Sequence, residues 1–87
     1  MSESVAETLG LPLSITAKDA RDILGFYGLP GGWKPGGFRM SLIETIERAD
    51  PANRRALALG FPGTVAAFEI CQHNVAGIQL IASEDES

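Results

Sequence analysis

Between residues 25 and 38 the chain reads GFYGLPGGWKPGGF, with six glycines, two prolines, three Phe or Tyr residues and a tryptophan in fourteen positions. Pro30 and Pro35 lack the N–H that a helix interior or a central strand needs, and each ring clashes with a preceding helical turn. Gly31-Gly32 and Gly36-Gly37 permit positive φ angles. No regular element crosses 28–37, so any regular structure must form on either side of this connection. Trp33 is caught between the glycine pairs. Its simplest role is a lid folded over Phe38, Phe61 or Phe68. Its sharper role is a partly exposed anchor for a partner, with Lys34 and Arg39 as flanking cations, a combination typical of interface hot spots.

After the connection the apolar spacing is helical. Phe38, Leu42, Ile46 and Ala49 recur at intervals of four, four and three with Ile43 beside them, one stripe on a helix over 38–49. Glu44 and Arg48 stand four apart in the order that favours a surface pair. The string DPANRRALALG then gives a second helix over 51–59. Asp50 is its N-cap, Pro51 takes the first helical position, and Gly60 sits where a left-handed terminating residue belongs. Pro62 opens a third helix, read as continuous over 62–82 from the rhythm of Val65, Phe68, Gln72, Val75 and Ile78. Gly77 weakens it by about 1 kcal/mol against alanine. A break near Asn74 is the alternative. Upstream, Thr16 and Asp19 form the start of a short helix near 17–25, with Ala20, Ile23 and Leu24 on its apolar face. The reading is an all-α bundle of three main helices plus this short one, a single domain over 1–87 with frayed ends at 1–10 and 83–87.

With seven Lys and Arg against eleven Asp and Glu, the chain carries a net charge of −4. Nucleic-acid affinity rests on cations that displace counterions, so this balance disfavours it. Arg54 and Arg55 begin a helix at a tight helical corner and are the candidate contacts for a small DNA-associated regulator. The helix turns to Ala and Leu after its first turn, unlike a reading helix that lines one face with basic and polar groups. An acidic nucleic-acid mimic would need a denser array of carboxylates. No charged segment leads an apolar run as in a secretory signal, and no apolar stretch approaches the ~20 residues that span a bilayer. The cytoplasm is the expected location, consistent with a single unpaired cysteine.

The residues offer little chemistry. A phosphate-binding loop needs Lys followed by Ser or Thr, whereas Lys34 precedes Pro35. One His and one Cys do not make a four-ligand zinc site, and no metal or cofactor is expected. Cys71 reads as a small core residue. It is two positions from His73, so on a helix the two point apart. Glu44 and Glu47 share a face, but Arg48 makes surface pairing the simpler account. An orphan enzyme using His73 as a base is the weakest reading.

The string GLPGGWKPGGFRMSLIETIERADPANRRALALGFPGTVAAF resembles small proteins of actinobacteria and especially of their bacteriophages. In these a W-x-P-G-G-F segment precedes a helix, followed by A-D-P-x-N and L-x-x-G-F-P. The matching positions are Trp33, Pro35, Gly36, Gly37, Phe38, Ala49, Asp50, Pro51, Asn53, Leu57, Gly60, Phe61 and Pro62, and the likeness spans roughly half the chain. The resemblance implies a phage-type origin and brings no catalytic residues. The function expected is a non-enzymatic module that binds a host protein through Trp33, Lys34 and Arg39. Self-association through an exposed stripe on the last helix is a further expectation.

Overall fold

A computed structural model describes residues 14–84. The expected N-terminal arm at 1–10 and most of the acidic tail lie outside the described residues. Within them the chain is all-helical, with five helices: α1 (Ala17–Phe26), α2 (Gly37–Arg48), α3 (Pro51–Gly60), α4 (Pro62–Cys71) and α5 (Val75–Ala82).

Local chemistry sets most of the boundaries. The Thr16 hydroxyl accepts from the Asp19 N–H at 3.0 Å, and the Asp19 carboxylate accepts from the Thr16 N–H at 3.2 Å, a reciprocal capping box. At the other end of α1, Gly28 takes φ 67°. Its N–H donates to the Gly25 carbonyl at 3.1 Å, and that of Leu29 to Leu24 at 2.9 Å, closing the helix in a Schellman motif. Asp50 caps α3 by accepting from the Asn53 N–H at 2.8 Å, with Pro51 in the first helical position.

The core is built from Ile23 and Leu24 of α1, Ile43 and Ile46 of α2, and Ile78 and Ile81 of α5, all fully buried. Val65, Phe68 and Cys71 of α4 complete it. Helix α4 packs on all four other helices, and α1 packs on α5, α4 and α2 although it is the helix the sequence marks as minor. Helix α3 packs chiefly on α4 and has no buried residue.

Four expectations need correction. The helix over 62–82 is two helices. The N–H groups of His73 and Asn74 both turn back to the Ile70 carbonyl, and the Asn74 side chain accepts from the Gly77 N–H at 2.9 Å to cap α5. An Asn side chain that can satisfy a free helical N–H competes with continuation of the helix. Gly77 is thus at the capped start of α5, where a Cβ would press on the Asn74 side chain. Phe38 leaves the apolar stripe: it is 67% exposed, its ring 6.0 Å from that of Phe61, and α2 buries Leu42, Ile43 and Ile46 instead. Gly60 is not left-handed; positive φ occurs at Gly28 and Gly31, and α3 ends at Phe61 with φ −133°. The exposed stripe expected on the last helix is reduced to Ala76 and Leu80, one turn apart. Ile78, Ile81 and Ala82 are buried, and Leu80 is its one exposed large apolar side chain.

Candidate interaction site around Trp33

The site begins with a carboxylate on the inner side of α1. Asp22 follows Lys18 by one turn and precedes the core residues Ile23 and Leu24, and it is 1% exposed. A buried carboxylate is stable only when its oxygens are filled with donors. One oxygen accepts from the Trp33 indole Nε1 at 2.6 Å. The other accepts from Arg39 Nε at 2.8 Å and Lys18 Nζ at 2.9 Å. Burial pushes the Asp22 carboxyl up, but the bonds from Lys18, Arg39 and Trp33 together outweigh it and hold the group below its ordinary value.

Arg39 extends the network. Its second arm donates to Asp19 at 2.7 Å, on the oxygen that also accepts from the Thr64 hydroxyl at 2.9 Å. Burial alone would favour loss of the Arg39 proton, but Asp22 and Asp19 reverse that and raise its value. One cluster of polar groups thereby joins α1, the connection, the first turn of α2 and the start of α4. Gly63 makes room for it, since a Cβ there would collide with the Ser14 carbonyl and the Asp19 carboxylate.

The connection reaches Asp22 because two backbones pass almost in contact. A Cβ on Gly25 would collide with the Trp33 carbonyl, and one on Gly32 with the backbone of Gly25. The Trp33 N–H donates to the Arg21 carbonyl at 3.2 Å, and Gln79 of α5 donates to the Pro30 carbonyl at 2.8 Å. Arg21 then lies over the indole ring at 5.1 Å, a cation–π contact. Arg21 is itself held by the Ala82 and Glu84 carbonyls at 2.8 and 3.0 Å. With its N–H satisfied and Arg21 over the ring, Trp33 remains 44% exposed.

The three residues expected to contact a partner therefore divide. Trp33 and Lys34 are at the surface. The Arg39 side chain is 19% exposed and is spent on Asp19 and Asp22, so it positions the loop rather than facing outward. The lid role for Trp33 over Phe38, Phe61 or Phe68 is corrected: the indole is fixed by Asp22 of α1. Arg54 and Arg55 also separate. Arg54 donates to the Ile46 carbonyl at 3.0 Å and stacks at 4.9 Å on Phe68, while Arg55 is exposed. Glu44 and Arg48 do not come within ion-pair distance among the described residues.

Cys71 is buried, and burial raises its thiol above the ordinary 9.0, so it stays protonated at neutral pH. His73 is exposed at the α4–α5 break. A surface groove of about 440 Å³ runs between α2 and α3, lined by Thr45, Arg48, Ala49, Asn53, Ala56 and Leu57, with no nucleophile–base pair. Among the described residues no three His, Cys, Asp or Glu side chains are placed to hold a metal ion, and no helix is long and apolar enough to cross a membrane.

Sequence reasoning missed Asp22, Lys18, Arg21 and Thr64. One signal was present: an aspartate directly before Ile23-Leu24, on the inward side of an amphipathic helix, needs donors from elsewhere in the chain. Trp33 within the glycine-rich connection and Arg39 just beyond it are the residues that supply them. No family model, no curated protein and no solved structure matches this chain.

Proposed function

We propose that this chain is a non-enzymatic protein-interaction module, phage-encoded and acting in the host cytoplasm, that binds a host protein through Trp33 and Lys34. One observation carries the reading: Trp33 is half exposed yet held rigidly by its 2.6 Å bond to buried Asp22. A large aromatic surface fixed before binding loses little freedom on association, which is what an interface anchor requires. The host and phage part of the reading draws on the resemblance in the W-x-P-G-G-F and A-D-P-x-N segments. Nothing in the placement of Arg54 favours the DNA-regulator alternative.

The test is affinity recovery from actinobacterial lysate, with a photoreactive residue in place of exposed Gly36, where a Cβ meets nothing within 4 Å, so that Trp33 and Lys34 are both kept. The reading expects one host protein to crosslink at position 36, and to be lost on Trp33→Ala in a variant with unchanged helical circular dichroism. Recovery unaffected by Trp33→Ala, or salt-dependent binding of duplex DNA in its place, would overturn it.

A further inference from the structure

The charges around Trp33 run against the character of the whole chain. Four of its seven cations collect there: Lys18 and Arg39 on the Asp22 carboxylate, Arg21 over the ring, and Lys34 next in sequence. The carboxylates that face them point inward, Asp22 at 1% and Asp19 at 13% exposure. Glu84 adjoins through the carbonyl that Arg21 holds. Among the described residues the exposed cations of this cluster are Lys34, next to the indole in sequence, and Lys18 with its side chain 54% exposed, while Glu84 adds one partly buried carboxylate. An ammonium has three donors, and Lys18 gives one to Asp22, so it can take a second acceptor.

Resting on the reading of Trp33 as an anchor, we infer that the Trp33 patch accepts an acidic peptide segment of its partner. An apolar side chain of that segment seats on the indole, and neighbouring carboxylates meet Lys34 and Lys18. Charge complementarity favours this occupant over a neutral or basic one. A nucleic acid would present phosphates to the same lysines, and duplex DNA therefore enters the test as a competitor.

The test pans a random dodecapeptide library on the intact chain, with counter-selection on Trp33→Ala. Since Trp33 is the one tryptophan of the sequence, its fluorescence reports directly on binding of the synthetic peptides. The inference expects Trp33-dependent binders rich in Asp and Glu beside an apolar residue. Lys34→Glu should weaken them about tenfold at low salt, with most of the loss erased at high salt. Trp33-dependent binders that are neutral or basic, or indifferent to Lys34→Glu, would overturn the inference and leave the anchor standing. An absence of any Trp33-dependent binder would remove the anchor itself. Mixed-sequence duplex DNA that competes as well as the selected peptides would overturn it in favour of phosphate. Should Trp33→Ala fail to fold, Lys34→Glu decides, because Lys34 takes no part in the polar network.

Discussion

The segment 27–36 has no regular secondary structure, yet it is tied to α1 by Trp33 and to α5 by Pro30, and Pro35 is buried. Helix α3 is regular and well capped, yet no residue in it is buried and Leu59 is 89% exposed. The two regions invert the usual link between regularity and attachment. A helix satisfies its own backbone, so α3 needs only its caps and a light hold on α4. A loop cannot, and its polar groups must find partners on neighbouring elements. Here the partner is a buried carboxylate that equally needs donors. The mutual requirement makes the irregular segment the firmly held one, and it gives Trp33 a fixed orientation.

The largest effect should come where the loop crosses α1. Gly25→Ala puts a Cβ into the Trp33 carbonyl, and we expect a loss of about 4 kcal/mol in urea unfolding, with a shift in tryptophan emission. A variant as stable as the parent would mean that the loop is not seated on α1, and the contrast with α3 would collapse. Next, Asp22→Ala strips the shared acceptor from Trp33, Arg39 and Lys18 and should cost about 3 kcal/mol. The same residue sets an acid dependence. Its folded value lies below the ordinary 3.8, so its contribution is complete above 3.8 and is lost as pH falls from there through the folded value. The stability gap between parent and Asp22→Ala should therefore narrow in strong acid, and a constant gap would assign the effect to packing instead.

Smaller effects sharpen the α3 side. Arg54→Ala removes the bond to the Ile46 carbonyl and should cost about 1 kcal/mol, whereas exposed Arg55→Ala should stay within about 0.5 kcal/mol. Equal effects would show that Arg54 does not tie α3 to the end of α2. The smallest change is expected at Gly60, where φ is not positive and a Cβ meets nothing within 4 Å. Gly60→Ala should stabilise by about 0.5 kcal/mol or less, through the unfolded chain. The opposite signs expected for Gly25 and Gly60, both glycines near helix ends, condense the comparison into one pair of melting curves.

Much of the local punctuation was legible. The Thr16–Asp19 box, the Asp50 cap, Pro51 and Pro62 each act within three or four residues, so their chemistry is complete in the sequence. The break at 72–74 was harder, because Val75 and Ile78 keep the rhythm of Val65 and Phe68 across it. Periodicity does not show that the Asn74 side chain closes a new helix on Gly77. At the site, Trp33, Lys34 and Arg39 were read together as partner contacts, and the structure instead turns Arg39 onto Asp19 and Asp22. Those partners lie 17 and 20 residues away, across a loop whose path no local rule specifies.

The sequence by itself determined that the described chain would be helical, where most helices start, and that 28–37 could belong to none of them. Those outcomes follow from capping groups, proline rings and apolar spacing, whose effects reach no further than a turn of helix. Only the tertiary structure decided that α1 packs on three of the other helices, that Phe38 and Leu59 face solvent, and that Trp33 is fixed by Asp22. These depend on which surfaces meet when the helices close on one another. A buried carboxylate then selects its donors by where the folded chain carries them, not by their distance along it.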